Sequence, residues 1–355
     1  MNKRFFLALI LTAIVIVVTP LVFPTAVRRV GPNQTADSVT KASAPKQPVT
    51  VTAQPTLPEP INGINSSIPQ LTRPVNPGDT LALQTAHARY TFSAHGGVPT
   101  SIVLDSYPSL RPDARGRKAE LVGPREALLR YRLTLGRDTI ALDTIALRAE
   151  QKNEAAGPSV VFTGTVAGHA LRLNYQFAPD IADDFLIHVS ATVENAVPGS
   201  GLLIQLPRTI HSNEADTLDD LNHLAVSYRP AIGDVKSVNF SKLDSTESII
   251  TPGPINWVAT RDKYFLTVFR STKTPFSVLA LHGAPRQGKI AAEIGGMVAL
   301  PLNAEGTAAF EIYAGPQNFE RLQRLDTTFL ALRLGEHLGL LRCRSERVHH
   351  RFRIN

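Results

Sequence analysis

The chain of 355 residues has one cysteine, one tryptophan and two methionines, and the shortages exclude a good deal. With Cys343 alone, no intrachain disulfide, Cys-x-x-Cys pair or thiolate zinc cluster can form. An oxidising compartment suits such a chain only if its core is large enough to need no covalent staple. Nucleophile and phosphate-cradling signatures are missing too: there is no G-x-S-x-G, no P-loop and no G-x-G-x-x-G. The body also lacks a positive surplus, although the formal net charge is +7. Lys3, Arg4, Arg28 and Arg29, with no acid among residues 1–30, contribute +4. Arg342, Arg344, Arg347, Arg351 and Arg353 against Glu346 contribute another +4, which leaves −1 for everything between. A near-neutral body has no stripe of cations for a phosphate backbone, so no nucleic acid is expected.

What is present begins with an uncharged run, residues 5–23, bounded by Phe5 and Phe23. As a helix it would span about 28 Å, the thickness of the hydrocarbon layer. A cleaved signal peptide also starts with basic residues and an apolar stretch. Here the stretch is long, no A-x-A-like site follows, and Arg28 and Arg29 stand where cleavage disfavours charge. Residues 1–30 are therefore expected to be an uncleaved transmembrane anchor in the lipid bilayer, N-terminus cytoplasmic and body periplasmic. Residues 31–79 hold Pro32, Pro45, Pro48, Pro55, Pro58, Pro60, Pro69, Pro74 and Pro77 among Ser, Thr, Gln and Asn. Prolines remove ladder donors and few large apolar residues remain, so this stretch reads as an extended, disordered tether.

From about Thr80 the dominant period is two. Leu171, Leu173, Tyr175 and Phe177 alternate with Arg172, Asn174 and Gln176, after a strand ending at Val166 and a turn at Ala167-Gly168. Ile187, Val189, Ala191 and Val193 alternate with His188, Ser190, Thr192 and Glu194. Further strands are expected at 90–92, 102–104, 128–135, 264–269, 276–281, 290–294 and 308–313. Turns are expected at Gly96-Gly97, Gly123-Pro124, Gly157-Pro158, Pro198-Gly199, Pro252-Gly253-Pro254 and Gly295-Gly296. Many alternating strands with little helical period predict an all-β fold, a large antiparallel sandwich over 80–335. Helical period enters after Gly315-Pro316, where Phe319, Leu322, Leu325, Phe329 and Leu332 recur at steps of three and four. One amphipathic helix ending near Gly335 follows, its stripe packed on the sandwich. Residues 336–355 form a basic tail in which 338–341 is too short an apolar run for a second span, and the tail reads as a truncated terminus.

Three segments taken together resemble the periplasmic domain of YidC-type membrane protein insertases. They are Tyr90-Thr91-Phe92-Ser93-Ala94-His95-Gly96-Gly97-Val98 running on to Ile102, Leu104 and Tyr107; Ile255-Asn256-Trp257 through Arg261-Asp262-Lys263-Tyr264-Phe265; and Phe310-Glu311-Ile312-Tyr313-Ala314-Gly315-Pro316-Gln317. The resemblance, with the anchor and the Pro-rich tether, covers roughly residues 1–330. It implies a β-supersandwich similar to galactose mutarotase, attached in the family to a transmembrane insertase core that this sequence does not match. It also implies a cofactor-free role in insertion and folding of integral membrane proteins, with nascent membrane proteins and the Sec translocon as partners. Each motif has a plain structural reading as well. Gly96-Gly97 supplies positive φ or close backbone approach at a hairpin, Trp257 fills the core with its N–H on a carbonyl, and Tyr264 and Phe265 point to opposite faces of one strand.

Mutarotase-like architecture makes a membrane-anchored carbohydrate-binding or mutarotase-like domain the alternative. It would need a histidine and a carboxylate converging in a cleft. The candidates are His211, Glu214, Asp216, Asp219, Asp220 and His223, which read more simply as a solvated acidic loop with helix-capping acids. His211 and His223 lack metal-binding spacing, and His349-His350 lie among arginines. His87, His95, His169, His188 and His282 are scattered. No catalytic, cofactor-binding or metal residue is expected, and no small-molecule substrate.

Overall fold

Alternation fixes which side of a strand can leave water, and long-range pairing decides what that side then faces. The computed structural model describes residues 80–178, 185–284, 291 and 293–329. The anchor run 5–23, the tether 31–79 and the tail 336–355 lie outside them. Among the described residues no helix is long and apolar enough to cross a membrane.

Four strands, β1 (Thr80–Gln84), β2 (Ala88–Ser93), β3 (Val98–Pro108) and β4 (Lys118–Glu120), form a small sheet in that order. Then come β5 (Arg130–Leu135), β6 (Asp138–Ala141), β7 (Arg148–Glu154), β8 (Gly157–Val166), β9 (His169–Phe177), β10 (Leu186–Val193) and β11 (Gly201–Gln205). Helix α1 (Thr217–His223) precedes β12 (Ala225–Pro230), β13 (Lys236–Asn239), β14 (Ser248–Arg261) and β15 (Phe265–Ser271). The remainder is β16 (Phe276–Ala284), β17 (Glu293–Pro301), β18 (Thr307–Pro316) and helix α2 (Phe319–Leu325). A 14-stranded sheet runs β6-β5-β11-β17-β16-β14-β15-β18-β10-β9-β8-β7, with β12 and β13 branching from β14.

That sheet cannot lie flat. Eight strand steps separate β5 from β9, about 38 Å at the usual inter-strand spacing. Yet the hydroxyls of Tyr131 on β5 and Tyr175 on β9 are 2.8 Å apart. The sheet therefore doubles back, and its halves face each other across one core. The small sheet adds to that core, with Tyr90 4.8 Å from Phe177 and Phe92 5.0 Å from Tyr175 between ring centroids. The fold is a mostly antiparallel β-sandwich, as the period-two pattern implies.

The shared strand is β14. Its first part pairs with β16, and its last part pairs with β12 and β15. The expected turn at Pro252-Gly253-Pro254 is instead a register break inside this single strand of 14 residues. Gly253 passes so close to β16 that an added Cβ would lie 2.8 Å from the Ser277 carbonyl oxygen, so only glycine fits there. Gly295-Gly296 is not a turn either but the interior of β17, where a Cβ on Gly296 would meet Leu206 Cδ1 at 2.9 Å. Gly157-Pro158 likewise begins β8 rather than forming the turn before it. Gly96 and Gly97 do take positive φ, 75° and 63°, as expected.

The last elements also depart from expectation. Gly315 and Pro316 still belong to β18, with Pro316 opposite Phe265, and α2 starts only after Asn318 caps it. The helix stops at Leu325 because the Asp326 carboxylate accepts from the backbone N–H and hydroxyl of Thr328, at 2.8 and 2.7 Å. The chain then makes a 3-10 turn at Thr327–Phe329. Leu332 lies outside the described residues. Trp257 is fully buried, but its N–H donates to the Thr328 hydroxyl at 2.9 Å rather than to a carbonyl. Phe329 meets its ring edge-on at 5.3 Å, and Leu322 and Phe329 are buried, whereas Phe319 of the same expected stripe is exposed.

Candidate functional site

Where β14 turns into β15 the chain must reverse at the end of the sandwich, and the reversal is held by buried carboxylates. Asp262 Oδ1 accepts from the backbone N–H groups of Tyr264 and Phe265 at 2.8 and 2.6 Å. Asp220, on α1, accepts from the Lys263 N–H at 3.3 Å. Gln317, just past β18, closes the turn from the other side. Its amide donates to the carbonyls of Asp262 and Phe265 at 2.7 and 3.2 Å, and its backbone N–H donates to the Tyr264 carbonyl at 2.8 Å. Tyr264 therefore sits in the turn, exposed, while β15 starts at the buried Phe265; they do not share a strand as the sequence reading expected.

The same residues set the local electrostatics. Burial, and then the nearby Asp220 charge, push the Asp262 carboxyl up to about 7. Burial and Asp220 also raise Glu214. Lys263 bonds the Asp219 carboxylate at 2.9 Å, which holds that acid below its ordinary range.

The loop before α1 is tied down independently. Asn213 is buried, donates to the carbonyls of Glu120 and His211 at 2.9 and 3.0 Å, and accepts from the Glu120 N–H at 3.1 Å. Its own carbonyl accepts from Leu110 N–H at 2.8 Å. Together these ties frame an open groove of about 380 Å³. Tyr107, Pro108, Leu110, Phe265 and Pro316 give it an apolar floor, and Glu214, Gln317 and Asn318 give it polar edges. Tyr107 meets Phe265 edge-on at 5.8 Å. Residues from all three segments that carry the family resemblance line it: Tyr107, Tyr264 with Phe265, and Pro316 with Gln317.

The acid/base candidates fare differently. Asp216 caps α1, accepting from the N–H groups of Leu218 and Asp219, as the helix-capping reading expects. His223 bonds the Asp219 carbonyl of its own helix at 3.0 Å. His211 lies 3.4 Å from an Arg111 guanidinium nitrogen, and burial followed by that charge lowers its pKa. The two histidines thus turn to different partners, and Asp219 with Asp220 serves the 262–265 turn. Asp220 is buried, contrary to a solvated loop. Asp262 went unrecognised in the sequence, where an acid between Arg261 and Lys263 looks like ordinary turn chemistry. Its signal is an Asp two and three residues before backbone donors at a strand start. Among the described residues no group of three or more His, Cys, Asp or Glu is placed to hold a metal.

A second, polar pocket of about 450 Å³ is lined by Asn256, Arg270, Lys273, Glu311 and Asp326 among others. Arg270 bonds Glu311 and donates to the Leu325 carbonyl at 2.7 Å, fastening the end of α2. Burial alone would raise Glu311, but His188 at 3.1 Å and Arg270 hold it below its ordinary value. Arg270, His188 and Glu311 thus satisfy one another.

Comparison with known proteins agrees with the motif reading. No curated protein matches the sequence. Among solved structures, a galactose mutarotase-like protein from Lactobacillus casei is 10% identical with a TM-score of 0.41, covering 67% of this chain and 100% of that one. The periplasmic domain of Thermotoga maritima YidC is 9% identical with a TM-score of 0.38, covering 73% of this chain and 95% of that one. An active YidC insertase with its first transmembrane domain resolved is 11% identical at a TM-score of 0.35, and the match spans 43% of that longer chain. The decisive match is in sequence, where the YidC periplasmic domain family aligns with residues 80–336 and so takes in the sandwich and the start of the tail. This chain belongs to the YidC periplasmic domain family.

Proposed function

We propose that this chain is the extracytoplasmic module of a YidC-type insertase, tethered to the inner membrane and assisting insertion and folding of integral membrane proteins through contacts rather than catalysis. The observation that carries this is the family match over residues 80–336. The uncharged run bounded by Phe5 and Phe23 serves as the anchor, with the N-terminus cytoplasmic, and the Pro-rich residues 31–79 let the sandwich reach partners at some distance from the bilayer. Nascent membrane proteins and the Sec translocon are the partners the family implies. The carbohydrate-binding alternative draws no support from the site geometry, since His211 and His223 face different partners.

The reading is tested in cells depleted of their own insertase. This sequence joined to a transmembrane insertase core is expected to restore insertion of a reporter membrane protein, while residues 1–355 by themselves are not. Restoration by residues 1–355 alone would overturn the assignment as an accessory module.

A further inference from the structure

The groove beside the 262–265 turn exposes apolar side chains where the backbone is most firmly held. Leu110 is 54% exposed and Tyr264 48%, and Phe319, next to the lining residue Asn318, is 45% exposed. Loose packing does not explain this, because Asp262, Asp220 and Gln317 pin the turn through backbone hydrogen bonds. An apolar surface kept rigid in water is suited to a partner, since little ordering entropy remains to be lost on contact.

Charge narrows the partner. Glu214 lines the groove, and Asp216, Asp219 and Asp220 stand on the adjoining helix and its cap. Of the cations beside it, Lys263 is already bound to Asp219 at 2.9 Å, and Arg321, whose backbone N–H bonds Asn318, stacks its guanidinium over the Phe185 ring at 4.6 Å. The rim is thus negative on balance, which repels anionic lipid headgroups and acidic segments and draws in cations.

We infer that this groove docks an extended segment of a partner protein in which a bulky apolar side chain is flanked by lysine or arginine. The apolar side chain lies on Tyr107, Leu110 and Phe265, and a flanking cation meets Glu214. The inference deepens the proposed function by naming a partner class. It rests on that reading only for placing the groove outside the cytoplasm, and its test contains no insertion step, so either can fail without the other.

The full chain in nanodiscs of zwitterionic lipid is titrated by fluorescence anisotropy against a labelled peptide with a Leu-Phe centre and Lys/Arg flanks. Two control peptides carry Glu flanks, or a Gly-Ser centre. The basic apolar peptide is expected to bind at least about tenfold more tightly than either control, and less tightly as salt rises. Leu110→Asp and Glu214→Lys are each expected to weaken it by about tenfold. Tyr264→Ala, at an exposed position, gives the same direction of effect should either charged variant fail to fold. Equal binding of the Glu-flanked peptide, or an affinity indifferent to these variants, overturns the inference. So does binding of anionic phosphatidylglycerol vesicles that Leu110→Asp abolishes, which would make the groove a membrane contact.

Discussion

The middle of the sandwich and its groove end partition their residues in opposite ways. In the middle, the aromatic core carries its hydroxyls as a bonded pair: Tyr131 meets Tyr175, whose hydroxyl donates to the Gly97 carbonyl at 2.7 Å. At the end, two carboxylates go inside, Asp220 and Asp262, while Leu110 and Tyr264 stay in water. The first pattern is what burial energetics select for stability. The second costs stability, and a buried acid pushed up to about 7 registers that cost. Such an inversion is what a contact surface requires.

Substitutions can break or sharpen the contrast. In the middle, Trp257→Ala removes a fully buried side chain and its bond to Thr328, and is expected to cost about 3–5 kcal/mol in urea unfolding. At the end, Asp262 supplies a pH dependence. Its folded pKa of about 7 exceeds the unfolded carboxylate value, so between the two the folded state binds the extra proton. Stability from this group is therefore present at low pH and lost as pH rises towards 7, with a slope of at most about 1.4 kcal/mol per pH unit. Asp262→Asn keeps an acceptor for Tyr264 and Phe265 and is expected to flatten that slope; an unchanged slope in denaturation at pH 5, 6 and 7 would mean another group titrates.

Smaller effects are expected where strain or exposure is local. Ala167 and Gly168 form the β8–β9 turn with φ of 48° and 85°, a geometry that favours Asn-Gly. Ala167→Asn should stabilise by about 0.5–1 kcal/mol in thermal or urea melts. Tyr264→Ala should change stability by less than about 0.5 kcal/mol while weakening peptide binding. A large loss of stability there would place Tyr264 with the middle rather than the groove.

What could be read in the sequence follows the same division. Leu171, Leu173, Tyr175 and Phe177 are all buried with their neighbours outward, because alternation is local to the strand. The sandwich was legible for that reason, and the three motif segments through their resemblance to the family. The path of β14 through Pro252-Gly253-Pro254 was not, since its continuation depends on β16, whose partner residues lie 21 to 34 positions further on. Gly295-Gly296 misleads for a similar reason: Gly296 makes room for Leu206 rather than for a turn. The end of α2 was written in the Asp326-Thr327-Thr328 sequence, a local turn overridden in reading by the apolar period. The groove itself needed coordinates, because Tyr107, Glu214, Phe265 and Pro316 come from four separate stretches of chain.

Hydrogen–deuterium exchange on the full chain, with and without the basic apolar peptide, sets the two regions against each other in a single experiment. Amides at 262–265 and 317–318 should exchange more slowly with peptide bound, while those at 173–177 stay unchanged. Protection confined to the sheet interior, or none at 262–265 at saturating peptide, would contradict the assignment of the groove as the contact surface.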